Sequence, residues 1–258
     1  MSHDFYAERR ATMVATQIAA RGVTDPAVLA AMRTVPREAF VRPELAERAY
    51  DDIPLPIGAG QTISQPYIVA VMTAALRPSP ADRVLEIGTG SGYAAAVLHC
   101  LVKQVYTVER LEILYRLARR RLRRLGYHNV YVHYGNGTLG WPEHAPYDGI
   151  VVTAGGPAIP TALQEQLAFG GRLVLPVGAQ PTRQILVRVT RGSATEFQQE
   201  ELHSVCFVPL IGAQGWADHT AARHWGGHTP EAAAPRHAGE TPCTQNTART
   251  DHTVKELV

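Results

Sequence analysis

Three kinds of feature are scarce in this 258-residue sequence, and each scarcity narrows the class of protein. The only cysteines are Cys100, Cys206 and Cys243, whose odd number and wide spacing argue against a disulfide framework or a zinc site. A formal net charge of only +2 does not indicate nucleic acid as a partner. No apolar run approaches the roughly twenty residues of a membrane span, and the charged N-terminus lacks the apolar segment of a signal peptide. A cytoplasmic protein without membrane or nucleic-acid partners is therefore expected.

Short apolar runs alternate with helical stretches along the middle of the chain. Five runs rich in Val, Ile and Leu predict buried strands at 83–88, 104–109, 129–135, 147–153 and 171–178. Helices are predicted between them over 93–102, 111–125 and 159–168. This order is typical of an α/β fold with a doubly wound, mostly parallel sheet. Two further runs, 184–190 and 203–210, predict an antiparallel end of the sheet.

The segments on either side of this α/β core differ from it in composition. Residues 1–82 predict an N-terminal helical addition, although 51–66 contain too much Gly and Pro for a helix or strand and predict an ordered loop. The core is expected to run over 83–212. Residues 213–258 are rich in Ala, Thr, His, Gly and Pro without an apolar period, which predicts a disordered tail.

Histidines in this last segment are the remaining hint of a metal site. His219, His224 and His228 lie close together in the sequence. Because no Cys or carboxylate stands at ligand spacing from them, a solvated tail is favoured and no metal is predicted.

A glycine-rich stretch, VLEIGTGSGY, joins the first core strand to its helix and contains Gly88, Gly90 and Gly92. Glycine is needed where the backbone turns tightly and a ligand approaches without a Cβ in the way. A dinucleotide fingerprint would have its third glycine at position 93, where this chain has Tyr93. The observed spacing is the G-x-G-x-G form associated with S-adenosylmethionine-dependent methyltransferases, and a dehydrogenase is disfavoured.

Polar residues follow the next two strands at the same edge of the predicted sheet. Glu109 ends the second strand, where an acid would accept both ribose hydroxyls; a solvated carboxylate paired with Arg110 is the alternative. Asn136 follows the third strand, where its side-chain oxygen would accept from an adenine amino group; a simple turn Asn is the alternative.

Several blocks, in their order and spacing, resemble the protein-L-isoaspartate O-methyltransferase family: DIPLPIGAGQTISQP, VLEIGTGSGY, VYTVER, YDGIVVTAG followed by PAIP, GGRLVLPVG and FVPL. The resemblance covers roughly residues 10–212. It implies an S-adenosylmethionine-dependent methyltransferase sheet with an N-terminal helical addition and an extra C-terminal strand pair. The implied activity is methylation of the α-carboxylate of L-isoaspartyl residues in damaged proteins and peptides. The ester then closes to a succinimide that hydrolyses partly to normal aspartate.

The resemblance also implies roles for particular residues. The loop GQTISQP would lie over the methyl donor, with Ser64 as the catalytic serine and Thr62 contacting both donor and substrate. A helix N-cap ahead of Tyr67 is the alternative role for Ser64. The peptide groove would be lined by Val208, Pro209 and Leu210. The other implied cofactor-binding residues are Ile63, Glu86, Gly88, Gly90, Gly92, Glu109, Arg110, Asn136 and Gly137.

Methyl transfer to a carboxylate needs no general base, because a carboxyl with a pKa of about 4 is already ionised at neutral pH. Orientation in a dry, enclosed site is therefore expected to supply most of the catalysis. Ser64 would hold one carboxylate oxygen so that the other points at the methyl group.

Two departures from the family's pattern leave alternatives open. Asn136 stands where the family usually has Asp, which predicts cofactor binding weaker by about 1 kcal/mol. The 213–258 tail extends beyond the family's usual end. An O-methyltransferase acting on an aspartate of one dedicated peptide, and a non-catalytic cofactor-binding interaction protein, are therefore kept as alternatives. The arginines crowded between 116 and 124 predict a solvated helix face rather than a nucleic-acid site, and a monomer is expected.

Overall fold

The computed structural model describes residues 3–218, and short helices form the first part of that span. These elements are α1 (His3–Met13), a π-helical turn (Val14–Ile18), α2 (Pro26–Thr34) and 3₁₀ turns at Arg37–Phe40 and Pro43–Arg48. Asp25 caps α2, because its carboxylate accepts two backbone N–H groups of the first turn at 2.9 and 3.2 Å. Pro26 occupies the first helical position, where no N–H is needed.

A short hairpin occupies the segment for which only a loop was predicted. β1 (Leu55–Gly58) pairs antiparallel with β2 (Gln61–Ile63), and α3 (Pro66–Leu76) follows directly. The prediction of an irregular 51–66 was therefore wrong in part. The strands form because Leu55 and Ile63 face each other across the pair and bury their side chains in the core.

The main sheet has seven strands in the described part of the chain: β3 (Arg83–Ile87), β4 (Gln104–Glu109), β5 (Val130–Tyr134), β6 (Tyr147–Val152), β7 (Leu167–Gln180), β8 (Arg183–Arg191) and β9 (Phe197–Val205). Their order is β5-β4-β3-β6-β7-β8-β9. Pairings from β5 to β7 are parallel, whereas β8 runs antiparallel to both β7 and β9. The predicted mostly parallel sheet with an antiparallel end is confirmed.

Helices α4 (Tyr93–His99), α5 (Glu112–Arg124) and α6 (Thr161–Glu165) connect the parallel strands. Apolar side chains pack on both faces of the sheet, one cluster including the N-terminal helices, α3 and α4, and the other including α6. Within the described part of the chain, none of the helices combines the length and apolar character that a membrane crossing needs.

Two boundaries near the end of the fold differ from those predicted. The strand predicted over 203–210 lies at 197–205 instead, and Phe207 is held by a side chain rather than by a strand. The Gln184 amide accepts from the Phe207 N–H (2.9 Å) and donates to the Phe207 carbonyl (3.2 Å), so it replaces a strand partner. Residues 213–218 belong to the fold, since the Trp216 N–H donates to the Leu210 carbonyl (2.7 Å). The rest of the predicted tail, with His219, His224 and His228, lies outside the described residues.

Candidate active site

The strand order reverses between β3 and β6, and a groove opens at their carboxyl ends. In open α/β sheets this reversal is where ligands bind, because the loops on either side diverge. The groove consists of two adjoining open clefts of about 550 and 590 Å³. They share the lining residues Thr62, Gly88, Gly90 and Thr153.

The first cleft is mostly apolar and includes the end of the β1–β2 hairpin in its wall. Thr62, Ile63 and Ser64 line it, together with Glu86 from β3. The buried side chain of Ile63 anchors the hairpin to the core. Thr62 precedes it in the strand, so its exposed side chain points to the opposite face. Within residues 3–218 the Ser64 hydroxyl has no hydrogen-bond partner, which leaves it available to a ligand.

The helix-cap alternative for Ser64 is not what the structure shows. Gln65 is the N-cap residue of α3 and no cap bond comes from its side chain. Asp52 takes over this function, since its carboxylate accepts from the Tyr67 N–H (3.1 Å) and from the Gln65 side-chain amide (3.2 Å). Arg21 forms an ion pair with the same carboxylate at 2.5 Å. Asp52 thus fixes the backbone next to Ser64 without using the serine.

The second cleft contains Glu109, whose two oxygens are both held by backbone N–H groups. One accepts from the Gly90 N–H (2.8 Å) and the other from the Leu111 N–H (2.9 Å). Each oxygen keeps a lone pair for a ligand, because a carboxylate offers about four acceptor positions. Glu109 is therefore a buried, oriented acceptor at the groove.

Arg110 does not pair with Glu109, so the alternative interpretation of that carboxylate is wrong. Its guanidinium instead lies 3.3 Å from the carboxylate of Asp218, at the end of the described chain. Arg110 still lines the second cleft, as do Gly137 and the three residues predicted to form the peptide groove, Val208, Pro209 and Leu210.

The glycine loop supplies the floor between the clefts, and Gly88 is its most restricted member. Its φ is +95°, and a Cβ there would meet the Thr153 hydroxyl at 2.4 Å. Thr153 cannot rotate away freely, because its hydroxyl donates to the Gly88 carbonyl at 2.8 Å. The close approach of the two strand ends therefore requires glycine at this position.

Replacing Gly88 with Ala is expected to lower the free energy of unfolding by about 2 kcal/mol or more, from a strained φ and from the collision with Thr153. Gly170→Ala is the matched control, since Gly170 also has a positive φ (+78°) but open space around its Cα. Urea unfolding of both variants measures the difference. Equal losses would show that the contact with Thr153 contributes nothing.

Glu86 is fully buried in the wall of the first cleft. One oxygen accepts from the Thr107 hydroxyl at 2.6 Å, and the Thr107 hydroxyl lies 2.6 Å from that of Thr89. The other oxygen, Oε1, makes no hydrogen bond of ordinary length among the described residues, although the nearby Ala95 N–H favours the ionised form of this carboxyl. Burial raises the pKa of this carboxyl to about 8.

Two predicted cofactor residues are not part of the lining of either cleft. The Asn136 Oδ1 accepts from the Thr138 N–H (3.1 Å) and from the Thr138 hydroxyl (2.8 Å). These bonds are those of an Asn that stabilises a turn. Its assignment to adenine stays a prediction. Gly92 begins α4 with φ +90°, and a Cβ there would meet Leu122 of α5 at 3.1 Å. Gly92 therefore allows these two helices to pack closely.

Two positions at or beside the groove were not predicted from the sequence. Thr153 lines both clefts, and Asp52 fixes the hairpin-to-helix junction. Thr153 lies in the block YDGIVVTAG and Asp52 in the block DIPLPIGAG. Neither residue belongs to a sequence pattern that indicates a particular ligand. Only their contacts in the folded chain show what they do.

The groove fits S-adenosylmethionine on its own chemistry. Gly88 and Gly90 give a Cβ-free floor, and Glu109 offers lone pairs suited to ribose hydroxyls. The Glu86 Oε1, which lacks an ordinary hydrogen bond among the described residues, suits a positively charged group in the other cleft.

Comparison with known proteins supports the same family. The family model described as "Protein-L-isoaspartate(D-aspartate) O-methyltransferase (PCMT)" matches residues 8–215. Protein-L-isoaspartate O-methyltransferase 2 of Pelobacter propionicus is 64% identical over 208 residues, which cover 81% of this chain and 92% of that protein. Protein-L-isoaspartate O-methyltransferase 1 of Geotalea uraniireducens is 63% identical over 210 residues, covering 81% and 96%.

Solved structures show the same fold. A protein-L-isoaspartate O-methyltransferase superposes with a TM-score of 0.72 at 30% identity, covering 80% of this chain and 67% of that one. A Plasmodium falciparum structure in complex with S-adenosyl-L-homocysteine gives a TM-score of 0.67 at 24% identity, covering 78% and 98%.

Proposed function

Since this chain belongs to the protein-L-isoaspartate(D-aspartate) O-methyltransferase family, we propose roles for two residues that line its groove. Ser64 orients the substrate carboxylate on one side, and Glu109 binds the cofactor on the other. The protein methylates L-isoaspartyl residues with S-adenosylmethionine, the first step of their repair. The single observation that supports the assignment of residues is the groove itself. An unpartnered serine hydroxyl and an anchored carboxylate line its two clefts, which share a glycine floor.

S-adenosylmethionine, when bound, supplies a methyl group on a positively charged sulfur. Ser64 donates a hydrogen bond to one oxygen of the isoaspartyl carboxylate and so directs the other oxygen into the groove. The apolar side chains of Ile63, Val69 and Met72 in the lining disfavour water beside the bound reactants. Exclusion of water favours the reaction, because a cation and an anion combine to give neutral products.

Val208, Pro209 and Leu210 form the proposed wall for the substrate peptide. The Val208 carbonyl accepts from the Gly155 N–H at 2.8 Å, and the Leu210 N–H donates to the Gly155 carbonyl at 2.8 Å. These two bonds bracket Pro209, which is exposed and has no N–H to satisfy. The wall therefore presents an ordered backbone beside the cleft.

The proposal extends to the setting in which the enzyme works. We expect a monomer that acts in the cytoplasm on isoaspartyl proteins and peptides without nucleic acid. The Cys100 side chain forms no disulfide among the described residues, which suits a reducing compartment.

The test of function is methyl incorporation from labelled S-adenosylmethionine into two short peptides that differ only in isoaspartate or normal aspartate. Base-labile label is expected on the isoaspartyl peptide alone, because a methyl ester hydrolyses in base. Label on the aspartyl peptide instead would indicate the dedicated-peptide alternative. Cofactor binding with no label on either peptide would contradict repair methylation.

A further inference from the structure

The outer face of α5 carries a concentration of positive charge that neither the sheet nor the groove uses. The thirteen residues of this helix include six arginines and one acid, Glu112, although the formal net charge of the whole chain is only +2. Arg116 pairs with Glu112 at 2.6 Å. The other exposed arginines of the helix form no ion pair with a carboxylate within residues 3–218: Arg119, Arg120, Arg123 and Arg124.

A merely solvated helix face does not account for this arrangement. Arg116 stands three residues before Arg119 and four before Arg120, so like charges are neighbours on the helix surface and repel each other. The negative end of the helix dipole favours only arginines of the last turn. Burial lowers the pKa of Arg121, and the charges of Arg124 and Arg120 lower it further, as such crowding requires. An acidic partner would relieve this repulsion.

Two large apolar side chains lie beside the arginines on the same outer surface. Ile113 is 61% exposed and Leu117 is 37% exposed, and Arg120 and Arg124 continue the stripe that these two residues begin. Exposed aliphatic side chains bordered by charge are characteristic of protein interfaces, in which an apolar centre has a polar rim. The stripe contains no aromatic side chain on which a nucleic-acid base would stack. The surface therefore suits a protein better than a nucleic acid.

The start of α5 borders the groove, so a partner on this face lies close to the reacting groups. Leu111 and Leu114 line the second cleft, and the Arg121 guanidinium donates to the Ser91 carbonyl in the glycine loop at 2.8 Å. At about 1.5 Å per residue, the thirteen residues of α5 span about 20 Å. A protein held in the groove by its isoaspartyl residue can therefore reach the arginines with a neighbouring part of its surface.

We propose that the outer face of α5 is a docking surface for the acidic surface of a substrate protein. Carboxylates of the substrate pair with the arginine side chains, and an apolar residue among them contacts Ile113 and Leu117. The enzyme then favours isoaspartyl proteins that carry several carboxylates within about 20 Å of the damaged residue. This inference rests on the proposed function, because the partner is a protein that is methylated in the groove.

Two isoaspartyl peptides with the same reactive sequence test the preference. One is extended at each end by about six glutamates, which span about 20 Å when extended, and the other by as many glutamines. At an ionic strength of about 10 mM, where the screening length is about 30 Å, kcat/KM is expected to be roughly tenfold higher for the acidic peptide, through a lower KM. At about 1 M, where the screening length is about 3 Å, both peptides should react equally. Equal kcat/KM values at both ionic strengths would overturn the proposal.

A double variant, Arg120→Gln with Arg123→Gln, tests the residues. Both side chains are exposed and lie outside the lining of either cleft, and Gln is as good a helix former as Arg, so the fold should persist. This variant is expected to lose most of the preference for the acidic peptide, while kcat for the glutamine peptide stays unchanged. Arg33→Gln with Arg42→Gln is the matched control, because it removes the same charge at exposed positions on other elements. An equal loss in the control would show that only net charge matters and would overturn the proposal.

Other anionic partners are distinguished with the same proteins. A single-stranded oligonucleotide or a phosphatidylserine vesicle that binds the wild type more tightly than the acidic peptide does, and not the Arg120 and Arg123 variant, would overturn the proposal in favour of that partner. If neither peptide is methylated, the proposed function fails and the docking inference fails with it. If both are methylated with the same kcat/KM at low salt, the proposed function stands and the docking surface alone is refuted.

Discussion

Replacing Glu109 with Gln is expected to weaken the binding of S-adenosylhomocysteine by roughly 10- to 100-fold, the equivalent of a hydrogen bond to a charged group. Both carboxylate oxygens accept backbone N–H groups, from Gly90 at 2.8 Å and Leu111 at 2.9 Å. An amide has only one oxygen, so in either orientation its NH₂ group opposes one of these donors. The variant therefore loses an acceptor for the ligand and disturbs the glycine loop. Calorimetric titration measures the loss.

Glu112→Gln is the matched control for this experiment. Glu112 lies three residues further along the chain, in the first turn of α5, and its half-exposed side chain pairs with Arg116 at 2.6 Å. An exposed pair of this kind contributes little, so the control is expected to bind the ligand as the wild type does. If the Glu109 and Glu112 variants bind equally well, Glu109 does not contact the ligand.

Replacing Ser64 with Ala is expected to lower kcat/KM for an isoaspartyl peptide by roughly 10- to 100-fold, while the dissociation constant for S-adenosylhomocysteine changes less than about twofold. The hydroxyl has no partner within residues 3–218, so its removal leaves no buried group unsatisfied. The Asp52 bonds that hold the start of α3 do not involve Ser64 and should persist. Steady-state kinetics with the labelled cofactor separate the two effects.

Ser204→Ala, at an exposed position of β9, controls for the loss of a serine hydroxyl elsewhere. It is expected to match the wild type in both rate and affinity. If Ser64→Ala instead abolishes cofactor binding while the protein stays folded, Ser64 holds the donor and not the substrate carboxylate.

For the parallel strands and the start of α2, local sequence pattern was sufficient. The parallel strands follow from short Val- and Ile-rich runs, and Asp25 with Pro26 starts α2 through capping, which involves only neighbouring residues. The structure of the 51–66 segment was harder to predict, because its Gly and Pro content indicates a loop. The buried pair of Leu55 and Ile63 nevertheless stabilises a hairpin there. Such a pair is a contact between strands, so composition alone does not reveal it.

The sequence by itself determined the α/β class, the family and the block of residues from which the site is built, because strand periodicity and glycine spacing are properties of adjacent residues. Only the tertiary structure decided which polar groups are available to a ligand. It pairs Arg110 with Asp218 and leaves both Glu109 oxygens directed by backbone N–H groups. It also engages Asn136 locally and buries one Glu86 oxygen without an ordinary hydrogen bond among the described residues. Hydrogen bonding and burial of this kind depend on segments far apart in the chain, and these meet only when the sheet has formed.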